Sequence, residues 1–395
     1  MSSRPFFSVV IPTRNRCDTL RLAISSLIKQ KFKNFEIIVS DNSDNQQQAI
    51  NFSYIERLNL KNLIYIKPNE ILSMHDNWEF ALTHATGLYV GFLIDKTMFR
   101  KAALKEVFYL LNQDVSIDIV NYLNGGIEYY PGKLFQYKFQ GPVVRDKNVS
   151  HYFYPKKELE RRFSLKTSIR EEGDAYVLGK ICFGFYSKRL INKIKSLHGR
   201  MFFPTSCDYT SCVLALAYAN RAIFLKKTLL YSINNFSGNG FLSQNKKGHA
   251  LNFVKSYDTT LNSLRNLPIP QLYSSLHNFC VADYTILNRL KVVDYEINKE
   301  NFIRLCQKDL QYFPFSSNEE YHQQKELLLN YAKENGMQAN IFPLPDLEDK
   351  PLVKISLTNK ISDFLRKKST WKEKILFILK KIIFYIKPKW FIEID

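Results

Sequence analysis

The sequence of 395 residues predicts an α/β fold in which a mostly parallel sheet is flanked by helices. Three observations carry that expectation. Short β-branched runs such as Ser8–Ile11 and Ile37–Ser40 are apolar almost throughout rather than at every second position, the pattern of strands buried on both faces. Segments of helical period lie between them. Each run then ends in polar residues, in the loops after Ile11, Ser40, Ile66 and Ile94, where the strand ends of an open α/β sheet gather their ligand.

Taken in order, SVVIPT gives a first strand ended by Pro12. From Asp18, the spacing of Leu20, Ala23, Ile24, Leu27 and Ile28 describes one helical face, with Asp18 or Thr19 available as N-cap. EIIVSDNSD supplies a second strand and a polar turn, and LIYIKPN a third strand. MHDNWEFALTHATG reads as a helix closed by Gly87, and LYVGFLID as a fourth strand running into a charged turn at Asp95. Between residues 125 and 170, the Gly125–Gly126 pair, Pro131 and Gly141 suggest a hairpin or insertion. Alternation returns at 180–231, with a strand near Ile181–Tyr186, helices at Lys188–Leu197 and Ser211–Ala219, and a strand at Ala222–Leu225. After about Phe236 the pattern is mainly helical, without a repeat or low-complexity tract. The expected divisions are 1–235, 236–350 and a basic tail, 351–395.

Composition narrows the function. With 56 Lys+Arg against 37 Asp+Glu, the formal charge of +19 favours an anionic partner: nucleotide, nucleic acid or acidic lipid. Nucleic acid is not expected, because the abundant Tyr and Phe lie in apolar strand and helix contexts rather than in a basic aromatic stripe. The six cysteines show no C-x-x-C pair or zinc spacing, so buried thiols are expected rather than disulfides or a metal centre. MSSRPFF has no long apolar run before a small-residue cleavage site, which predicts a cytoplasmic chain.

SVVIPTRNR, EIIVSDNSD and an apolar strand ending in Asp95 together resemble the family 2 glycosyltransferases, best over residues 6–110. FFPTSCDYTSCVLALAYA and FLKKTLLYSINNFSGNG resemble the acceptor-side segment of a bacterial polysaccharide-type subgroup. The resemblance implies a Rossmann-like A-type glycosyltransferase domain, a nucleotide-sugar donor, and a saccharide or lipid-linked acceptor in surface polysaccharide synthesis. It also implies inversion at the transferred sugar.

Residue types and resemblance together suggest a site. The Pro12–Thr13–Arg14 turn offers backbone groups, a hydroxyl and a guanidinium after a buried strand, and the family would place base and ribose there. Asp41, ending the second strand, can accept from a base N–H or a ribose hydroxyl; the alternative is an Asx-turn with Asn42 and Ser43. His75 and Asn77, with Met74, are candidates for the side of the donor pocket, against a reading of capping and core packing that also covers Trp78. Family members usually carry an Asp-x-Asp cluster for a divalent metal after the fourth strand, whereas this chain has Asp95–Lys96–Thr97. Three readings stay open: Asp95 alone holds Mg²⁺ or Mn²⁺, Lys96 replaces part of the metal's charge, or donor chemistry has been lost and the chain is a nucleotide-binding scaffold. His249 is a remote additional ligand or a surface histidine beside Lys246 and Lys247. Asp208, before the apolar pattern Val213–Ala219, is the candidate catalytic base, with an N-cap role as the alternative. NNFSGNG, residues 234–240, could close over the diphosphate or position the acceptor, or be no more than a flexible turn.

The tail carries 11 Lys+Arg and 4 Asp+Glu, a net +7 over residues 351–395. Its apolar stretch Ile375–Ile386 is too short, at ~1.5 Å per residue, to cross a hydrocarbon core of ~30 Å. Flanked by Trp371, Lys387, Lys389 and Trp390, it reads as an interfacial helix over residues 371–390 on the anionic inner face of the plasma membrane, or as a helix docked on protein.

Overall fold

The computed structural model describes residues 4–128, 138–140, 149–234, 242–243, 246–255, 258 and 260–337. Strand β1 (Phe7–Thr13) leads into α1 (Cys17–Ile28), β2 (Phe35–Asp41), α2 (Asn45–Leu58), β3 (Leu63–Ile66), α3 (Met74–Thr83) and β4 (Tyr89–Phe92). These four strands lie in the order β3-β2-β1-β4 and pair in parallel. Along β1, Val9 and Ile11 join one apolar cluster and Val10 the other, so each face of the strand is buried. That double burial explains the uninterrupted apolar runs of the sequence.

Beyond β4 the sheet becomes mixed. β5 (Thr97–Phe99) and α4 (Ala103–Gln113) precede β6 (Ile119–Glu128), β7 (Lys138–Gln140), β8 (Ser150–Phe153) and α5 (Pro155–Ser164). Then come β9 (Gly184–Ser187), α6 (Lys188–His198), α7 (Cys207–Tyr218) and β10 (Ala222–Asn234). β9 inserts antiparallel between β4 and β6, β10 runs parallel to β6, and β5 and β8 pair antiparallel with β10. The expected hairpin beside the sheet is β6–β7, which pair antiparallel.

Several boundaries differ from expectation for local reasons. β1 continues through Pro12, which pairs opposite Ser40, because pairing with β4 has already ended at Val10 and the missing N–H is not needed on that side. The N-cap of α1 is Arg16, not Asp18 or Thr19, and Arg16 makes no side-chain capping bond. Helix α3 ends at the cap His84, before Gly87. Gly87 serves close packing instead: a β-carbon there would fall 2.6 Å from Ser8 N.

The C-terminal helices are α8 (His249–Lys255), α9 (Asn262–Arg265), α10 (Leu276–Tyr284), α11 (Ile286–Arg289), α12 (Lys299–Tyr312) and α13 (Asn318–Glu334). Val281 and Tyr284 of α10, Phe302 and Leu305 of α12 and Leu328 of α13 belong to the same apolar cluster as Val213 and Leu216 of α7 and Phe92 of β4. The helical region thus packs into the core beneath the sheet. Buried His277 donates through Nδ1 to Asp309 at 2.7 Å while its Nε2 accepts from Ile169 N at 3.2 Å, a neutral tautomer that ties α10 and α12 to the segment after α5. Among the described residues no helix is long and apolar enough to cross a membrane. The tail at 371–390 and most of the 234–240 loop lie outside the described residues.

The segment before β9 is pressed onto α7 at Gly179. Its φ is +77°, and a β-carbon would fall 2.8 Å from Leu216 Cγ and 2.9 Å from Cys212 Sγ. Gly179→Ala combines left-handed strain with overpacking and is expected to cost about 2–4 kcal/mol. Its unfolding midpoint in urea should fall with the m-value unchanged, and a midpoint within ~0.5 kcal/mol of wild type would disprove this close fit.

Candidate active site

Parallel pairing brings the carboxyl ends of β1, β2 and β4 to one edge, where their loops interlock. Asn15 takes a left-handed φ of +54°, donates its backbone N–H to Ser43 Oγ at 2.8 Å and accepts from Asp44 N at 3.0 Å. Asn42 donates its N–H to Thr13 O at 3.0 Å, and its side chain exchanges two bonds of 2.8 Å with Leu72. The loops after β1, β2 and β3 are therefore fixed to one another before any ligand arrives.

At the centre of this edge is Asp95, 2% exposed, just beyond β4. Thr13 Oγ1 donates to its Oδ2 at 2.9 Å, and Arg16 Nη1 to its Oδ1 at 3.1 Å. Lys96 follows, half-buried; burial, then Arg16, lower its pKa, and Asp95 works in the opposite direction. Its carbonyl accepts from Ile233 N at 2.7 Å, which ties this turn to the end of β10. Arg16 thus pairs with this buried carboxylate and Lys96 adds a second cation next to it in the chain, an arrangement suited to holding an anionic ligand with an excess of positive charge.

The other sequence candidates divide. Pro12 and Thr13 are buried within β1, while Arg14 is exposed. The arginine brought to Asp95 is Arg16, which the sequence reading did not single out. One signal was present: a guanidinium at the N-terminus of a helix opposes the macrodipole, and such a residue needs another reason to be there. Asp41 stands opposite Thr13 in the β1–β2 register and is fully buried. Its Oδ1 accepts from Ser43 N at 3.1 Å, the Asx-turn bond, and its Oδ2 from Asn51 Nδ2 at 2.8 Å and Tyr65 Oη at 2.9 Å. Burial, followed by Asp41, pushes the Tyr65 hydroxyl's pKa up. Asn77 is buried and accepts from Ser40 Oγ at 2.7 Å, fastening α3 to β2. His75 lies beside Asp76, with burial lowering its pKa. Trp78 packs on Phe92 with ring centroids 4.7 Å apart, and Met74 is exposed.

On the acceptor side, Asp208 occupies the first turn of α7 and is partly exposed. It is not the N-cap: Ser206 holds that position and makes no side-chain capping bond. Capping comes from Asp283 of α10, whose Oδ1 accepts from Thr205 N at 2.9 Å and Ser206 N at 3.2 Å. The carboxylate of Asp208 accepts no hydrogen bond from the described residues, which leaves both oxygens to a ligand. Among the described residues no group of three or more His, Cys, Asp or Glu side chains is placed to hold a metal, and His249 begins α8 outside any such group.

Comparison with known proteins agrees with the sequence resemblance. Residues 8–174 match the family model described as glycosyl transferase family 2. A curated Campylobacter jejuni relative, GalNAc(5)-diNAcBac-PP-undecaprenol beta-1,3-glucosyltransferase, is 29% identical over 109 residues, which cover 28% of this chain and 35% of the relative. The chain therefore spans about a third of that relative's length. Among solved structures, residues 1–349 of S. aureus TarS superpose over 84% of this chain and 92% of theirs, with 19% identity and a TM-score of 0.45. The same protein in complex with UDP-GlcNAc gives 18% identity, the same coverages and a TM-score of 0.44.

Proposed function

We propose, from the premise that this chain belongs to glycosyltransferase family 2 through residues 8–174, that it transfers a sugar from a nucleoside-diphosphate donor to a saccharide or lipid-linked acceptor with inversion. The observation that carries the reading is the pairing of Asp95 with Thr13 and Arg16 beside Lys96, on an edge prepared by the loops of three parallel strands. The curated relative is by name a glucosyltransferase for an undecaprenol-diphosphate-linked saccharide, which supports an acceptor of that class.

In this reading the acceptor hydroxyl attacks the anomeric carbon from the face opposite the diphosphate. The new C–O bond forms as the bond to the diphosphate oxygen breaks, so the configuration inverts. Asp208 takes the hydroxyl proton, and the leaving diphosphate keeps the electron pair, its charge met by Arg16 and Lys96. Pro12, Thr13 and Arg14 line the nucleoside side, and Asp41, bound to Asn51 and Tyr65, shapes its floor. His75 and Asn77 support the wall formed by α3.

A divalent ion, Mg²⁺ or Mn²⁺, is what the family implies at Asp95. The donor set fits it poorly, because a guanidinium already lies 3.1 Å from Oδ1 and Lys96 adds a second cation. The charge role therefore falls to the two basic side chains. The exposed acceptor side suits action at a membrane surface from the cytoplasm, with the basic tail at 371–390 as the anchoring segment.

Calorimetry with UDP, GDP, CDP and dTDP, in chelator and with Mg²⁺ or Mn²⁺, tests this directly. One nucleotide should bind wild type in chelator, and Arg16→Met should bind it roughly 10- to 100-fold more weakly, the loss expected for a charge-assisted bond. Binding that requires metal and disappears in Asp95→Asn would return Asp95 to the role of metal ligand. No nucleotide binding under any condition would overturn the donor site; binding without any sugar transfer would favour the scaffold reading.

A further inference from the structure

Residues 199–206 join α6 to α7 and lead directly to Asp208, yet they form neither helix nor strand. Their backbone groups therefore have to be satisfied from elsewhere. Glu79 of α3 accepts through Oε2 from Met201 N at 2.8 Å and from Phe202 N at 3.1 Å. Thr210 Oγ1 accepts from Phe203 N at 3.3 Å and donates to Phe203 O at 3.0 Å. Asp283 takes the N–H groups of Thr205 and Ser206, and Pro204 has none to offer. Every N–H from Met201 to Ser206 is thus held by a side chain.

Arg200 adds a second tie to α3. Its Nε donates to Phe202 O at 2.6 Å and its Nη2 to Asp76 Oδ1 at 2.7 Å, while Asp76 Oδ2 accepts from the N-cap Ser73 at 2.6 Å. Beneath these bonds Phe202 is fully buried, its ring centroid 5.3 Å from that of Trp78 in α3 and 4.9 Å from that of Phe92 in β4. The same helix is fastened at the donor edge. Asn77 accepts from Ser40 of β2, and Leu72, just before the N-cap, is bound twice by Asn42. Asp76 and Glu79, spaced i and i+3, share the face of α3 that meets residues 200–202. One helix therefore binds the donor edge on one side and the acceptor-side segment on the other.

We propose that Asp76 and Glu79 are positioning residues: through them α3 holds residues 200–206 in register with the donor edge and so sets where Asp208 stands relative to the bound donor. The inference rests on Asp208 being the base. Both carboxylates act through the backbone of that segment and not by contact with the nucleotide. A reacting group displaced by about 1 Å can cost on the order of a hundredfold in rate, so loosening the hold should slow transfer far more than it weakens donor binding.

The test combines backbone hydrogen exchange of the full chain with hydrolysis of the nucleotide sugar whose nucleotide binds in the calorimetry, water serving as acceptor. Glu79→Met keeps the side-chain length and removes the acceptor of two N–H groups, whereas Glu79→Gln keeps a carbonyl oxygen that can accept both. In Glu79→Met the amides of residues 201–206 should exchange about tenfold faster or more, and kcat should fall roughly 10- to 100-fold while donor KM and nucleotide Kd stay within about twofold. Glu79→Gln should keep kcat within about threefold of wild type. If Glu79→Met does not fold, Arg200→Met removes the tie to Asp76, a half-exposed pair whose loss costs little stability, and should lower kcat about three- to tenfold with KM unmoved. Unchanged exchange, or an unchanged kcat where exchange has risen, would overturn the proposal. Parallel rises in KM and nucleotide Kd would overturn it as well, and make this face of α3 part of the donor pocket. Because the acceptor is water, loss of a saccharide contact does not imitate the expected result. Full hydrolysis in Asp208→Asn would remove the base reading itself, a result separable from any outcome at Glu79.

Discussion

Asp208→Asn is expected to lower turnover by about 10²- to 10⁴-fold while leaving nucleotide affinity within about twofold of wild type. The split follows from where the residue sits. The donor edge is built from β1, β2 and β4, and among the described residues no hydrogen bond or ion pair joins Asp208 to Thr13, Arg16, Asp95 or Lys96. Its carboxylate is partly exposed and makes no hydrogen bond with the described residues, so asparagine breaks none. What the substitution removes is a proton acceptor, and some favourable interaction of a carboxylate with the first turn of α7, worth ~0.3–1 kcal/mol. Stopped assays of sugar transfer, alongside nucleotide calorimetry on the same preparation, separate the two quantities. A variant that binds nucleotide and still turns over within tenfold of wild type would place the base elsewhere. Parallel losses of binding and turnover would show that Asp208 shapes the donor pocket.

The strands of the first half were legible because burial on two faces demands continuous apolar runs, and β1 to β4 all appear at the predicted places. The mixed half was less so. β9 is four residues long and pairs antiparallel on both sides, a register that no local pattern at Gly184–Ser187 specifies. At the donor edge, sequence adjacency misled: Arg14 follows the strand directly, but the left-handed turn at Asn15 leaves it exposed and returns Arg16 to Asp95. Asp41 lay where expected, at the end of β2, but its burial with Asn51 and Tyr65 depends on residues 10 and 24 positions away. Glu79 and Asp283 carried no signal at all. Their significance arises from the packing of residues 199–206 against α3 and against α10, contacts set by tertiary structure rather than by local spacing.

Asp283 leads to the second large effect, on stability. It is fully buried, and its pKa is pushed up to about 7, first by burial and also by Asp208, against the N–H bonds from Thr205 and Ser206. Its Oδ2 makes no hydrogen bond with the described residues. A carboxyl whose folded pKa lies above its unfolded value binds its proton more tightly in the native state. Its contribution is therefore fully present below about pH 4, the unfolded range, and is lost as pH rises through about 7. The full swing, roughly three units at about 1.4 kcal/mol per unit, is on the order of 4 kcal/mol. Asp283→Asn should abolish it: the amide oxygen still accepts from Thr205 and Ser206, and no buried charge forms at any pH. Below about pH 4 the variant and wild type should unfold at similar denaturant concentrations, and at pH 8.5 the variant should be the more stable by up to that amount. Asp283→Ala, which orphans both N–H groups, should instead be less stable than Asp283→Asn throughout, by about 1–3 kcal/mol. Parallel stability curves for wild type and Asp283→Asn between pH 5 and 8.5 would mean that the carboxyl is ionised over the whole range, and that α10 holds the entry to α7 by a permanent charge.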